Sequence, residues 1–342
     1  MNYRIPDRVG LLKRDDSILY LIDEEIIELS GCSEQIIRVI ECLKSGANWN
    51  EVIHDVPKHD LEQLIKILSE NNLIHSAWEN EYIDSIANKQ LYYFENICEE
   101  NPNTIQKRLE QSCVAILGVG GVGTSIIQHL VGAGIKSFIL VDDDTVALDN
   151  LNRQFTYTVS DVSRYKVDAA RDYIKSIAPE SDVRVHNCKI QKENDIRILD
   201  SYPIDFLINA TDSSPQLPMI INKYSNERKI PFIELSVGVT TGSWGPITIP
   251  GKTVCLKCYR EKEEGKMSSD ELYVYNNLHS VIKSSFGPTN TVISTLAAMD
   301  IIHYLSGLNA LCKSEGKRCV FNFQTGKIII DDVNNLICSC WS

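Results

Sequence analysis

The glycine-rich loop at residues 118–123 is the part of this sequence whose residue types are best suited to chemistry. It follows an apolar strand at 114–117 and carries four glycines, Gly118, Gly120, Gly121 and Gly123. Because glycine lacks a Cβ, such a loop can turn sharply and bring its backbone N–H groups close to phosphate oxygens at a helix N-terminus. The loop therefore predicts a site for a phosphate-bearing ligand.

Two acids after the next apolar run extend this site. Asp142 lies 24 residues beyond Gly118, and Asp144 follows in the same run of aspartates. An acid at that spacing is typical of a carboxylate that holds the ribose of a nucleotide. The glycine spacing also satisfies the dinucleotide fingerprint, so this segment alone is equally consistent with NAD.

The polar residues that follow favour ATP over NAD. Asn150, Arg153 and Gln154 come shortly after the aspartates, and Lys166 falls on a predicted helix. An adenylate-forming enzyme needs an amide, a guanidinium and an ammonium to neutralise a triphosphate under attack, whereas hydride transfer has little use for them. Arg153 or Lys166 alone is more simply a solvated surface charge. Together they indicate phosphate binding and catalysis.

Asp212 completes the predicted nucleotide site. It follows an apolar strand at 206–209, and ligands of open α/β folds bind at the carboxyl ends of strands. Carboxylate oxygens suit Mg²⁺, so we expect Asp212 to hold that ion. Capping of the helix that follows is the structural alternative.

With these residues in view, the chain resembles the adenylating enzymes of the ThiF, MoeB and ubiquitin-activating family over residues 85–342. The resemblance implies ATP, with Asp142 on the ribose, Asn150, Arg153 and Lys166 at the phosphates, and Asp212 at Mg²⁺. Enzymes of this family attack the α-phosphate of ATP with a carboxylate and release pyrophosphate. Arg153, Lys166 and Asp212 are then the expected catalytic residues.

Four cysteines form a second group. Cys255 and Cys258 make a C-x-x-C pair and Cys338 and Cys340 a tighter C-x-C pair, so four thiolates can close a tetrahedral zinc site. The family resemblance implies a structural zinc on two such pairs. Free cysteines in a reducing compartment are the alternative. A redox C-x-x-C is less favoured because Cys255 does not open a thioredoxin-like βα unit.

Composition indicates a cytoplasmic globular protein of two or three domains. The 342 residues are 43% hydrophobic, and the eleven cysteines show no disulfide-like framework. The first residues contain no apolar signal region, and no stretch approaches the ~18 apolar residues of a membrane span. The net charge of −12 disfavours nucleic acid as a partner.

Residues 1–80 predict a separate winged-helix-like module. Three short β-rich runs, at 9–12, 18–22 and 26–29, precede three helical segments, near 36–45, 49–54 and 61–70. A DNA-binding winged helix needs a basic recognition helix, yet residues 58–70 set two lysines against three acids. This balance favours a protein-binding role.

The module is similar to the peptide-clamp domain, or RiPP recognition element, which takes a leader peptide as an added strand through main-chain hydrogen bonds. A clamp, a ThiF-like domain and a late cysteine pair together resemble the family members that mature ribosomally made peptides, as in microcin C and pantocin A biosynthesis. A packing or dimerisation domain is the alternative for this module.

Two departures from the wider family concern mechanism. Residues 259–285, where ubiquitin-activating enzymes place a thioester cysteine, contain none, so transfer onto an enzyme thiol is not expected. The family also sends an arginine from one subunit into the ATP site of its partner, which implies a homodimer. Here the corresponding segment, 88–90, offers only Lys89, a point charge without the bidentate fork.

Apolar strands alternate with helices from residue 113 onward. This order predicts an α/β fold with a doubly wound, mostly parallel, Rossmann-like sheet and an antiparallel extension. We therefore expect a clamp at residues 1–80, a linker and helix at 81–112, and an adenylation domain with a zinc knuckle at 113–342.

The expected function is ATP- and Mg²⁺-dependent activation of a carboxylate on a ribosomally made precursor peptide, bound through its leader. A nucleophile of the same peptide then attacks, which gives a dehydrative cross-link. One alternative leaves AMP on the peptide, as in the microcin C type. Another adenylates the C-terminus of a ubiquitin-like sulfur carrier, and the non-catalytic alternative is a leader-binding scaffold.

Overall fold

The computed structural model describes residues 3–22, 24–46, 53–211, 216–277, 284–333, 338 and 340. The chain divides into two compact units, Met1–Lys107 and Arg108–Ser342. The first unit includes most of the segment that the sequence assigns to a linker, and the boundaries at 80 and 112 stay predictions.

The first unit contains two small sheets and a set of helices. Its strands are β1 (Tyr3–Arg4), β2 (Gly10–Arg14), β3 (Ser17–Ile22), β4 (Glu25–Leu29) and β5 (His75–Ser76). The helices are α1 (Glu34–Ser45), α2 (Lys58–Glu70), α3 (Asn88–Ile97) and α4 (Pro102–Gln111), which ends beyond the division. Strands β2, β3 and β4 form an antiparallel sheet in that order, and β1 pairs with β5. The helical segment expected near 49–54 lies largely outside the described residues.

Helix α1 shows how local sequence sets these elements. Ser33 caps its first turn by accepting a hydrogen bond from the backbone N–H of Ile36 at 3.3 Å. The helix ends where Gly46 adopts a left-handed conformation with φ of +71°. Its buried face joins a core whose buried members among the described residues run from Ile5 to Ile74, so this part of the unit has its own hydrophobic interior.

The second unit is built on one eight-stranded sheet. Its strands are β6 (Cys113–Leu117), β7 (Ser137–Val141), β8 (Asp182–His186), β9 (Phe206–Asn209), β10 (Phe232–Val237), β11 (Thr241–Thr248), β12 (Lys317–Asn322) and β13 (Ile328–Asp332). The helices are α5 (Gly121–Gly132), α6 (Lys166–Ile177), α7 (Leu217–Arg228), α8 (Leu256–Glu264), α9 (Ser269–Asn277) and α10 (Gly287–Leu305). The strand order is β13-β12-β11-β10-β9-β6-β7-β8.

This order confirms the predicted fold class. Strands β8, β7, β6, β9 and β10 are parallel, and β10 to β13 continue as an antiparallel extension. Every residue of β6 and β9 is buried, which explains their uninterrupted apolar sequences. The chain winds outward from β6 to β8 and then resumes on the other side of β6 with β9. Ligands of such sheets bind at the carboxyl ends of the strands that flank this reversal.

A buried carboxylate fastens the antiparallel extension to α10. Asp300, fully buried on α10, accepts a hydrogen bond from the indole N–H of Trp244 on β11 at 2.9 Å. It also accepts from the backbone N–H groups of Lys313 and Ser314, both at 2.9 Å. A buried charge with several donors is far less costly than an unpaired one, so this group can hold three segments together.

Among the described residues, no helix is long and apolar enough to cross a membrane.

Candidate active site

The glycine loop lies at the reversal of the sheet and is closely packed. Gly118 has φ of +89°, and a Cβ there would lie 2.8 Å from the carbonyl oxygen of Ala210, just beyond β9. A Cβ on Gly123 would lie 2.0 Å from the carbonyl oxygen of Gly118. Side chains at these two positions are therefore excluded, and the first turn of α5 is held directly against the loop. Its backbone N–H groups form the anion-binding end of that helix.

Asp142 and its neighbours connect this loop to the end of β7. One carboxylate oxygen of Asp142 accepts from the backbone N–H of Val119 at 2.8 Å, and the other accepts from that of Asp144 at 2.9 Å. Burial raises the pKa of Asp142 above its ordinary value, and the nearby Lys166 ammonium opposes this shift. The side chain is thus fixed beside the loop, as expected of a ribose-binding acid.

Lys166 begins α6 and points back toward the same place. Its Nζ lies 2.6 Å from a carboxylate oxygen of Asp144, and its side chain is 8% exposed against 65% for Asp144. The hydroxyl of Tyr157 donates to the carbonyl oxygens of Val119 at 2.8 Å and Lys166 at 3.1 Å. A buried ammonium is therefore held near the loop by an exposed partner that an anionic ligand can replace.

Arg153 and Gln154 lie next to the loop, and Asn150 lies earlier in the same segment. The nearest atom to a Cβ on Gly120 would be Gln154 Nε2 at 3.8 Å, and a Cβ on Gly121 would lie 3.4 Å from Arg153 Cγ. Asn150 is buried and accepts the backbone N–H of Ala147 at 3.1 Å. The structure therefore brings Arg153 and Gln154 next to the glycine loop, with the Arg153 guanidinium donating to the carbonyl oxygen of Asp149 and to Asn152 Oδ1, whereas the side-chain contacts of Asn150 are with Ala147 and Asp149.

A cavity of about 250 Å³ adjoins Gly118 and the aspartates after β7, and its described lining does not include Asn150, Arg153, Gln154 or Lys166. Its wall contains polar residues from several strand ends, including Gly118, Asp142, Asp144, Cys188, Lys189 and Thr211. It lies at the carboxyl ends of β6, β7 and β9, where a nucleotide is expected. Asp212 lies outside the described residues, so its assignment to Mg²⁺ stays a prediction.

Asn290 is a nearby residue that the sequence analysis did not select. It is buried in the first turn of α10, and a Cβ on Gly121 would lie 2.9 Å from its Nδ2. That nitrogen donates to Ser285 Oγ at 3.2 Å. The segment 286–290 carries a Gly-Pro pair at a helix start, but only tertiary packing shows that this helix begins beside the glycine loop.

The four predicted zinc ligands come together in the second unit. Sγ atoms of Cys255, Cys258, Cys338 and Cys340 all lie within 4.8 Å of one another. Cys258 Sγ is 3.6 Å from Cys340 Sγ and 3.8 Å from Cys338 Sγ. Tetrahedral zinc with Zn–S bonds of about 2.3 Å separates its sulfurs by about 3.8 Å, so the arrangement fits that ion. Burial raises the pKa of the Cys255 thiol, so a cation is needed to keep it as a thiolate.

We predict that Lys166→Gln weakens ATP binding about tenfold or more, because it removes a buried ammonium near the phosphates. Unfolding should change little, since the Asp144 partner left behind is exposed. Calorimetric titration with ATP measures the affinity and thermal melting the stability. Arg171→Gln, on the same helix but with surface ion pairs, serves as the control. Wild-type ATP affinity in the Lys166 variant would contradict the assignment.

We also predict one tightly bound zinc per chain. Cys258→Ser should lose the metal and lower the melting temperature, because the binding free energy of a structural metal contributes to folding. Elemental mass spectrometry of the purified protein measures the metal content. Cys42→Ser, at a free cysteine on α1, should retain it. Native protein without metal would rule out the site, and partial zinc in Cys340→Ser alone would show that the C-x-C pair supplies a single ligand.

Several curated proteins resemble parts of this chain. It is 36% identical over 108 residues to the adenylyltransferase and sulfurtransferase MOCS3 of Culex quinquefasciatus, which is 32% of this chain and 24% of that protein. It is 35% identical over 164 residues to ubiquitin-like modifier-activating enzyme 5 of Drosophila simulans, which is 44% of this chain and 40% of that protein. These alignments span less than half the length of either relative.

Solved structures share the fold over the whole chain. E. coli MccB, crystallised with ATP, superposes with a TM-score of 0.80 at 22% identity and full coverage of both chains. PaaA superposes with a TM-score of 0.73 at 22% identity, covering 96% of this chain and all of that one. Identities this low establish the fold alone.

The family model described as the ThiF family matches residues 87–334. That range contains the glycine loop, the acids after β7, Lys166 and the first cysteine pair. On this match, which covers well over half of the sequence, the chain belongs to the ThiF family.

Proposed function

We propose that this protein is an ATP- and Mg²⁺-dependent enzyme that activates a carboxylate of a ribosomally made precursor peptide as an acyl-adenylate. The observation that carries the proposal is the fold match over the full length of MccB, a microcin C7 biosynthetic enzyme. The ThiF family model begins at residue 87. The fold match to MccB covers the whole chain and therefore includes the first unit as well. MccB has been crystallised with ATP and with the peptide MccA.

The nucleotide site supports the adenylation step. In this proposal the ribose of ATP lies at Asp142 and its phosphates lie along the glycine loop, with Lys166 and Arg153 as the cations that contact them. These cations stabilise negative charge as the peptide carboxylate attacks the α-phosphate and pyrophosphate leaves. Asp212 would hold Mg²⁺, which would supply further neutralisation of the phosphates.

The first unit offers an edge for a leader peptide. In the sheet β2-β3-β4, each outer strand pairs with one neighbour among the described residues, so main-chain groups remain for an added strand. Apolar side chains also lie exposed on this sheet, namely Leu12, Leu21 and Ile26. Exposed apolar area beside a free edge suits a partner that pairs by strand addition. A unit used only for packing or dimerisation is the alternative.

Transfer of the activated acyl group is proposed to be direct. Residues 259–285 contain no cysteine, so the acyl-adenylate passes to a nucleophile of the same peptide. Tethering raises the effective concentration of that nucleophile by orders of magnitude, which lets it compete with water. The products are AMP and a peptide that has lost water through a new cross-link or ring.

A homodimer belongs to the same proposal. Lys89 is exposed in the first turn of α3, where it is available to reach the ATP site of a second copy. A lysine there contributes a point charge to the triphosphate rather than a bidentate contact.

The second candidate function is adenylation of a ubiquitin-like protein. It is favoured by the names of the curated relatives, which include adenylyltransferase and sulfurtransferase enzymes and a ubiquitin-like modifier-activating enzyme. The full-length fold match to MccB favours the peptide substrate instead. Within that class, a microcin-type enzyme would leave AMP on the peptide.

Mass spectrometry of enzyme incubated with ATP and candidate peptides distinguishes these functions. The peptides are synthesised from short reading frames that adjoin the gene. We expect the peptide to lose the mass of water, or a multiple of it, while the enzyme stays unmodified. A peptide that retains the added mass of AMP would establish the microcin type. An enzyme-bound thioester would establish transfer through a cysteine and refute direct transfer.

We further predict that deleting residues 1–80 weakens peptide binding by roughly 100-fold or more, because the edge for strand addition is lost. ATP binding should be unchanged, since the deletion removes none of the residues predicted to contact ATP, including Lys89. Calorimetric titrations with peptide and with ATP measure both affinities, and thermal melting shows whether the shortened chain is folded. Unchanged peptide affinity in a folded variant would assign the deleted residues to packing or dimerisation.

A further inference from the structure

A second cavity adjoins the nucleotide cavity. It has a volume of about 500 Å³ and lies at the carboxyl ends of β9 and β10, bounded by β11 and α8. Thr211, just beyond β9, lines both cavities. The two cavities therefore meet at Thr211. On the proposed function, the reacting end of the peptide occupies this space.

Glu234 on β10 presents a carboxylate to this second cavity. Its side chain is 19% exposed. One oxygen accepts a hydrogen bond from Asn209 Nδ2 at 3.3 Å, and the other lies 3.8 Å from Arg260 Nη2. Asn209 ends β9, so these contacts place Glu234 at the strand end that leads into the nucleotide site.

The other charged side chains around the second cavity lie on elements other than β10. Arg260, Glu263 and Glu264 lie on α8, and Arg318 lies on β12. Glu263 is held in an ion pair with Lys266. Arg318 Nη2 lies 3.4 Å from Ser243 Oγ. Among the described residues, three carboxylates line this cavity. Glu263 and Glu264 lie on α8, whereas Glu234 lies on strand β10 of the sheet, on the side of Thr211.

The raised pKa of Glu234 suits proton transfer. Burial raises its pKa above the ordinary value of a glutamate, and Arg260, Asn209 and Arg318 oppose that shift. A carboxylate with a raised pKa is a stronger base than a solvated one and is better matched to transfer near neutral pH.

Direct transfer needs such a base when the nucleophile is nitrogen. A thiolate attacks without losing a proton, but a peptide N–H must lose one as the N–C bond forms. We infer that Glu234 is the general base of the transfer step and accepts the proton from the attacking N–H of the peptide. The new N–C bond forms as the bond between the acyl carbon and the phosphate oxygen breaks. AMP leaves with that electron pair, and Glu234 later releases its proton to water.

This inference rests on the proposed function, and Glu234→Gln separates the two. The variant retains an oxygen that can accept the hydrogen bond from Asn209 but cannot take a proton. We expect exchange of pyrophosphate into ATP, which reports adenylation, to stay within about threefold of wild type. Formation of the dehydrated peptide should fall roughly 100-fold or more. Glu264→Gln, in the same cavity wall, is the matched control and should form product normally.

The pH dependence gives a second measurement. Product formation by the wild type should decline as pH falls through the raised pKa of Glu234, because the protonated acid cannot act as a base. The residual rate of Glu234→Gln should lack this decline. Both assays use the intact protein, ATP and synthetic peptides from reading frames that adjoin the gene.

The outcomes distinguish the two proposals. Normal product formation by Glu234→Gln, or a loss of exchange as large as the loss of product, overturns the role of Glu234 and leaves the proposed function standing. A wild-type enzyme that neither exchanges pyrophosphate nor alters any of these peptides overturns both.

Discussion

The site depends on one steric constraint, which is that the glycine loop has no space for a side chain at positions 118 and 123. The carbonyl oxygen of Gly118 lies 2.0 Å from where a Cβ of residue 123 would be, and that of Ala210 lies 2.8 Å from where a Cβ of residue 118 would be. These approaches press α5, β6 and the end of β9 into one rigid corner. The Asp142 carboxylate then accepts a loop N–H, and Tyr157 fastens the start of α6 to the same loop. Gly118, Asp142 and Thr211, which line the cavity, belong to these closely packed segments.

Electrostatics at this corner differ from those of the protein as a whole. A chain with a net charge of −12 repels a polyphosphate at long range. On the proposed function, attraction must therefore be local and protected from screening by solvent, and the buried Lys166 and the positive end of α5 are the groups expected to provide it. The exposed Asp144 carboxylate pairs with the Lys166 ammonium. The Lys166 ammonium is thus held in a position where water solvates it only in part.

Sequence patterns were sufficient for the fold class, because it depends on local order, whereas the roles assigned to the site residues stay predictions. Uninterrupted apolar runs identified β6 and β9. The glycine loop that follows β6 indicated that a ligand binds at the carboxyl ends of the strands, with Lys166 on a later helix. The C-x-x-C and C-x-C pairs were recognisable individually, and the fold brings them together. Asn290 and Glu234 were not found. Their significance comes from neighbours far along the chain, Gly121 for one and Asn209 with Arg260 for the other, which no local pattern records.

The cysteine cluster has a consequence for how the chain folds. Cys258 and Cys338 are 80 positions apart, and the segment between them contains α10, β12 and β13. An ion that joins them closes a long loop and so removes much of the conformational entropy of the unfolded chain. Because α10 also carries Asn290 to the glycine loop, an open loop leaves that helix to be positioned by its packing and by the hydrogen bonds to Asp300. Metal supply would then act on the nucleotide site through chain topology, at a distance from any ligand contact.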